Sequence, residues 1–412
     1  MDATRPGVLA RWGALAPALR SRDFRLFWFG QIVSNTGTSL QVVAEGYLVY
    51  QITESTFWLG AVNFIALLPV VPIALLGGVL IDRFPRRKLI VASQIGLMIQ
   101  SAVFGLLAFT GRIELWHVIL LYFCFGALLA IDHPARRAYL VDLVEREDLA
   151  NAVALNATIF NISNLVGYAI SGFLIAAVGV GGTMLVNAAT YLAPITALSL
   201  IRTPDVRFDT EGKPLATALS AGLTTLLRQP AVIGVMSLMA VVGGLAWPIF
   251  GLMPAYAEEV IGTGAIGLGL LLAAGAFGSV LGTVATARLG GRRRGLSLSL
   301  AALVLPLLVA GVALSREMWS AMLFIAGVGL LLLVVQSLAI TLVQVNVADR
   351  VRGRVMTIYS MLHAGADTGG NLVVGAIAVY TLLPGALLIA AAASLIYGLA
   401  LWLVVPAVRH LD

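Results

Sequence analysis

Apolar residues in this chain fall into twelve long runs, separated by short polar or charged connections. They lie at about 26–50, 56–82, 88–110, 115–135, 148–178, 182–201, 231–257, 262–287, 295–314, 318–345, 351–379 and 384–406. Each holds about 20 residues or more, the length an α-helix needs to cross a hydrocarbon layer roughly 30 Å thick. Backbone groups in lipid must be satisfied within the segment, and the runs are too long and too evenly apolar for barrel strands, so helices are predicted. Runs longer than one crossing predict tilt, or ends that project into water.

Composition agrees. Apolar residues make up 60% of the chain, charged residues only 11%, and mean hydropathy is +0.97, which excludes an ordinary soluble domain. If the N-terminus is cytoplasmic, 24 of the 26 Lys and Arg residues fall on that side, leaving only Arg112 and Arg316 opposite. Such asymmetry predicts both termini inside. The net charge of +6 then needs no nucleic acid, because a basic face opposite anionic lipid accounts for it. Arg5, Arg11, Arg20, Arg22 and Arg25 crowd the first 25 residues without a separate short apolar core, so no cleavable signal peptide is expected.

The lone Cys124 excludes an internal disulfide and reads as a packing residue. There is no phosphate-binding Gly-x-x-x-x-Gly-Lys-Ser/Thr loop and no Gly-x-Ser-x-Gly elbow. His117, His133, His363 and His410 are dispersed and form no His-Glu-x-x-His site. No cofactor, no metal and no enzymatic activity are expected.

The sequence repeats at half its length. Gly167-Tyr168-Ala169-Ile170-Ser171-Gly172 lies 203 residues before Gly370-Asn371-Leu372-Val373-Val374-Gly375, and the same offset carries Leu143-Val144 to Asn346-Val347. This predicts two six-helix halves, 1–202 and 231–412, joined by a polar cytoplasmic linker at 203–230. Leucines around Leu9–Leu19 and Leu215–Leu227 recur with helical spacing beside arginines. They read equally as amphipathic helices on the membrane surface or as loose connections.

Between the second and third runs stands Gly78-Val79-Leu80-Ile81-Asp82-Arg83-Phe84-Pro85-Arg86-Arg87-Lys88. It resembles the signature loop of major facilitator superfamily transporters, Gly-x-Leu-x-Asp-Arg-x-Gly-Arg-Arg, with Pro85 where the second glycine usually stands. Asp23-Phe24-Arg25-Leu26-Phe27 with Gly30 to Gly37, Pro134 with Arg136, and Arg352-Gly353-Arg354-Val355-Met356 resemble the branch holding enterobactin exporters and macrolide-efflux proteins. The resemblance implies an all-α membrane fold of twelve helices in two pseudo-symmetric bundles that rock about a central site. It also implies a cytoplasmic latch in which Gly78 and Asp82 meet the start of helix 11 near Gly353 and Arg354. Arg83, Arg86 or Arg87 then pairs with Asp132 or Asp142, while Lys88 serves as a topology anchor. The antiporter pattern Gly-Pro-x-x-Gly-Gly is only partly met, since Tyr168 replaces proline and Ser171 a glycine; close helix contact is the simpler reading of those small residues.

Ionisable groups inside apolar runs are costly and signal function. Glu45 lies well along the first run, with Gln31, Ser34, Asn35, Thr38 and Gln41 on one stripe beside it. His363, Asp367 and Asn371 repeat every four residues and share a face. Glu45, His363 and Asp367 are therefore the proton-coupling candidates, against a static hydrogen-bonding role. The resemblance places helices 1, 4, 7 and 10 around the cavity, which makes Gln31, Asn35, Gln41, Phe123, Trp247, Gln336 and Gln344 the substrate-cavity candidates. Wide apolar walls with few polar anchors suit an amphipathic organic molecule.

The expected protein is a monomeric secondary transporter of a bacterial cytoplasmic membrane, exporting a drug or siderophore-like metabolite in exchange for protons. Its partners are a small-molecule substrate, protons and the bilayer. Lipid or lysolipid movement and nutrient uptake are the alternative transport readings, with a transporter-like receptor or an intramembrane enzyme beyond them.

Overall fold

The computed structural model describes residues 17–70, 72–73, 84–203, 226, 229–288 and 293–411. Gly78, Asp82 and Arg83, with the leucine-rich segments around Leu9 and Leu215, lie outside the described residues. Every regular element among the described residues is helical.

α1 (Arg22–Thr53) starts at Ser21, whose hydroxyl accepts the Phe24 N–H at 3.3 Å. It ends at Glu54 in the left-handed conformation. α2 (Thr56–Leu67) follows at once. α3 (Arg86–Phe109) is preceded by Pro85, a position where the missing N–H removes no helical hydrogen bond. α4 (Leu115–Asp142) opens with a reciprocal cap: Glu114 accepts the His117 N–H and His117 Nδ1 accepts the Glu114 N–H at 3.1 Å.

α5 (Leu149–Thr190) turns at Gly179, whose φ of 72° and ψ of 174° glycine alone adopts readily, and α6 (Leu192–Leu200) continues from it. α7 (Pro230–Leu238) leads into an irregular stretch with π-helical turns at Met239–Gly243 and Tyr256–Val260, broken by Pro248 and Pro254. α8 (Gly264–Arg288), α9 (Arg294–Leu314), α10 (Met318–Asn346) and α11 (Asp349–Val404) complete the chain. α11 turns at Leu382.

Among the described residues, eight helical stretches are long and apolar enough to cross a membrane; those at 149–200 and 351–404, of 52 and 54 residues, are each long enough for two crossings. α1 is not among the eight because its polar stripe lowers its hydropathy, and the described part of α2 is only 12 residues long. The chain is an all-α membrane protein.

Among α1–α6, α1 packs on α5, and α3 on both α4 and α5. Among α7–α11, α10 packs on α8 and α9, and α9 on α11. Two seams join the groups, α5 against α8 and α2 against α11. Both depend on small residues that admit neighbouring backbone. A Cβ on Gly60 would stand 2.4 Å from the Asn371 carbonyl oxygen, and one on Gly172 would stand 2.4 Å from that of Ala265.

The start of α1 meets the ends of α4 and α6 and the start of α5. Ser21 donates to the Leu143 carbonyl at 3.1 Å, Asp23 accepts the Arg202 and Thr203 N–H groups, and Ala18 donates to Asn151. This end of the bundle gathers the arginines and is the basic face. The seams lie toward the other end, where Thr56, Gly179, Gly262 and Leu382 mark the turns.

Candidate functional site

A cavity of about 360 Å³ lies between the two groups of helices. Val, Leu, Ala and Gly supply eleven of its 24 described lining residues. Tyr122, Tyr168, Trp247 and Phe250 add aromatic surface, and Asn63, Asn161, Asn164, Gln336 and Asn371 add carboxamides. Glu45 is the only charged side chain among the described lining residues.

Two hydrogen bonds tie α1–α6 to the later helices among the described residues, both away from the basic face. Tyr50 donates to Glu259, and Thr56 Oγ1 donates to the Gly375 carbonyl at 3.0 Å. No ion pair between described residues joins the groups.

Glu45 is buried, and its carboxylate accepts Gln41 Nε2 at 2.7 Å and, more distantly, Gln100 Nε2 at 3.4 Å. Gln41 also donates to Gln100 Oε1 at 3.1 Å and accepts Asn187 Nδ2 at 2.5 Å. Asn187 reaches on to Ser101 Oγ at 3.2 Å. The network links α1, α3 and α5, so the carboxylate at the cavity wall is held from behind by amides in an apolar interior. Polar groups so buried need every partner they have.

Nearer the basic face, Asp132 Oδ2 lies 2.5 Å from Arg136 Nε, and its Oδ1 accepts Ser93 at 2.8 Å and Gln94 at 2.9 Å. Arg136 also donates to Gln31 and to Asn35 Oδ1. Asp132 has no exposed side-chain surface, so the ion pair is compensated by hydrogen bonds rather than by water. Arg86 pairs with Asp142 at 2.9 Å, and Arg87 donates to the carbonyls of Ile201 and Ser199. These contacts stay within α1–α6 and their flanks.

A third cluster joins α10 to α11. His363 Nδ1 lies 3.0 Å from Asp367 Oδ2, and His363 Nε2 contacts the Gln336 amide. Asn371 donates to the Asp367 carbonyl at 2.7 Å, leaving its buried Oδ1 without a hydrogen-bond partner.

Of the sequence-predicted cavity residues, Trp247 and Gln336 line the cavity. Gln41 lies behind Glu45, and Gln31 and Asn35 are engaged by Arg136. Phe123 is 42% exposed on the outside of α4, because one residue is a 100° turn and Tyr122 and Phe125 hold the inner face. Gln344 is exposed, and its carbonyl accepts Arg352 Nε at 2.8 Å. Gly353 and Arg354 open α11, with no described side chain of α1–α6 hydrogen-bonded to them.

Sequence reasoning missed Asn63, Asn161, Asn164 and Tyr122 at the cavity, and Gln100 and Asn187 behind it. The available signal was the same one that found Glu45, polar side chains inside apolar runs. Without a packing partner, however, none of them differs from a side chain bonded to its own helix.

Residues 12–412 match the family of transmembrane secretion effectors, a branch of the major facilitator superfamily, and the chain belongs to that family. It is 27% identical to the enterobactin exporter of Escherichia coli O9:H4 (strain HS) over 406 residues, 94% of this chain and 92% of that one. It is 27% identical over 179 residues to the staphyloferrin A transporter of Staphylococcus aureus, 42% of each chain. Macrolide efflux protein A of Streptococcus pyogenes is also 27% identical, over 154 residues and 37% of each. The chain thus spans less than half the length of these last two.

A bacterial homolog of the human lysosomal transporter Spinster, inward-facing and unoccupied, superposes with a TM-score of 0.67 at 16% identity, over 95% of both chains. The nucleoside transporter NupG superposes at 0.69 with 14% identity, over 93% of this chain and 98% of that one. These likenesses show the fold. The chain is a multi-pass membrane protein of this family.

Proposed function

We propose that this chain is a proton-coupled exporter with twelve membrane helices in two six-helix halves, 1–202 and 231–412, working as a monomer by alternating access. The observation that carries the reading is the placement of Glu45. Among the described lining residues a single carboxylate stands on an otherwise uncharged cavity wall, between seams that close one end. A cavity shut by interchangeable contacts at one end and lined by a buried carboxyl is what exchange of a proton for a substrate requires.

By the positive-inside rule the basic face is cytoplasmic, with both termini there. The cavity then opens inward, and the seams at Tyr50–Glu259 and Thr56–Gly375 close the outer side. In the opposite state the cytoplasmic ends close, with Asp82, Arg83, Arg86 and Arg87 on one side and the start of α11 at Gly353 and Arg354 on the other. Arg86 and Asp142, already paired, present a preformed edge for that closure. His363 and Asp367 form a second proton-accepting pair beside Gln336.

Apolar and aromatic walls with scattered carboxamides fit an amphipathic organic substrate. The names of the enterobactin exporter and macrolide efflux protein supply candidates, a catecholate siderophore and a macrolide. The test is flux of such probes in proteoliposomes under an imposed pH gradient. Glu45→Gln is expected to abolish gradient-driven flux while probe binding to the detergent-solubilised protein persists. Undiminished gradient-driven flux in that variant overturns the coupling role.

A further inference from the structure

Away from the central cavity, the outer side of α1 and α6 carries a second recess of about 800 Å³ that begins at the basic face. Phe29 and Val33 of α1 and Leu192 and Leu200 of α6 wall it, each at least 44% exposed. The helices meet closely at its floor, where a Cβ on Gly30 would stand 3.1 Å from the Ala197 Cβ. From Arg22 to Val33 the recess follows α1 for about 16 Å at 1.5 Å per residue. That is the depth of one leaflet, about half of a 30 Å hydrocarbon layer.

Two arginines stand at its mouth. Arg22 donates one terminal nitrogen to the Leu200 carbonyl at 3.3 Å, and Arg25 one to the Leu19 carbonyl at 3.2 Å. A guanidinium has five N–H donors, so most of each fork stays available. The neighbouring carboxylate, Asp23, pairs with Arg22 only at its long edge and gives its other oxygen to residues 202–203. Its Oδ2 takes the Arg202 N–H at 3.0 Å, the Thr203 N–H at 2.9 Å and the Thr203 hydroxyl at 2.8 Å, while its Oδ1 lies 3.4 Å from Arg22. Exposed Arg202 adds a further cation at the same end. A mouth of forked cations above an apolar slot one leaflet deep complements a phosphate carrying an acyl chain.

We propose that this recess is a binding site for an anionic phospholipid of the basic-face leaflet. The phosphate is held by Arg22 and Arg25, and an acyl chain lies between α1 and α6. The proposal stands independently of what the central cavity transports. Exposed apolar side chains alone are ordinary on a membrane protein; the arginine pair at the mouth is what selects an anionic headgroup.

The experiment adds phosphatidylglycerol, phosphatidylcholine or inorganic phosphate to the purified full chain in detergent, following retained lipid by native mass spectrometry and stability by thermal melting. Phosphatidylglycerol is expected to stay bound and raise the melting temperature, as a ligand of the folded state must. Arg22→Gln/Arg25→Gln is expected to lose both effects. Thr196→Trp, which fills the slot and leaves the arginines in place, is expected to lose them as well. Arg112→Gln/Arg316→Gln, on the other face, is expected to keep them. Equal retention of phosphatidylcholine, stabilisation by inorganic phosphate alone, or full phosphatidylglycerol binding by Thr196→Trp would each overturn the proposal.

Discussion

Tyr50, near the end of α1, donates its hydroxyl to the carboxylate of Glu259, in the π-helical turn that closes the α7 stretch. Among the described residues it is the one side-chain-to-side-chain hydrogen bond between α1–α6 and the later helices. In the proposed alternating-access cycle such a contact belongs to one of the two states, so its energy bears directly on which state is populated. Hydrogen bonds to charged groups are worth about 1.5–3 kcal/mol net. Tyr50→Phe is therefore expected to shift the equilibrium about tenfold or more toward opening at that face. Spin-label distances between the ends of α1 and α7 will read this shift. Unchanged distance populations would show that the bond is incidental.

The α2–α11 seam gives a steric counterpart. At Gly60 an added methyl meets backbone, the Asn371 carbonyl oxygen, which cannot turn aside as a flexible side chain does. Overpacking of this kind costs roughly 1–3 kcal/mol. Gly60→Ala is expected to disfavour the closed seam and raise labelling of a cysteine introduced there. Gly365→Ala, also on α11, is the control, since a Cβ at that position meets nothing within 4 Å.

Asp132 and Arg136 form the most deeply buried ion pair among the described residues. Removing one partner of a buried pair leaves an uncompensated charge, at a cost of about 3–5 kcal/mol. Asp132→Ala is expected to lower the melting temperature strongly, and Asp132→Ala/Arg136→Met to recover much of the loss. A double variant no more stable than the single one would place the energy in the Ser93 and Gln94 contacts instead.

The Glu45 carboxyl and the His363–Asp367 pair are expected to separate in transport. Glu45 stands on the cavity wall, whereas the Asp367 carboxylate is not among the described lining residues and pairs with His363, which contacts the cavity residue Gln336. Asp367→Asn is expected to move the pH profile of gradient-driven flux while leaving part of the flux, where Glu45→Gln leaves none. Identical profiles for Asp367→Asn and wild type would reduce the His363 pair to a strut between α10 and α11.

Asp23, just ahead of the first apolar run, makes a pH prediction outside the membrane. Burial pushes its carboxyl upward, but the Thr203 hydroxyl, the Arg202 and Thr203 N–H groups and the Arg22 charge together hold it below the ordinary value of 3.8. A carboxylate depressed in the folded state contributes stability above its unfolded value and loses it as pH falls through the folded one. Thermal melts of wild type are expected to fall below about pH 4 more steeply than those of Asp23→Asn. Parallel curves would mean that the contact to residues 202–203 contributes no pH-dependent stability.

What the sequence determined by itself was the all-α membrane class and the charge asymmetry. Run length against bilayer thickness and the clustering of arginines are properties of the chain in order, needing no knowledge of neighbours. Glu45 was legible for the same reason: a carboxylate inside an apolar run is anomalous wherever that run packs. Tertiary structure alone decided what each polar group faces. Phe123 and Tyr122 are adjacent in sequence yet lie on different sides of α4, and periodicity cannot say which side is inward when every face is apolar. The Arg136–Gln31 contact, the amides behind Glu45 and the Tyr50–Glu259 bond join residues up to 209 positions apart. Long-range contacts of that kind depend on how helices pack, which hydropathy does not encode.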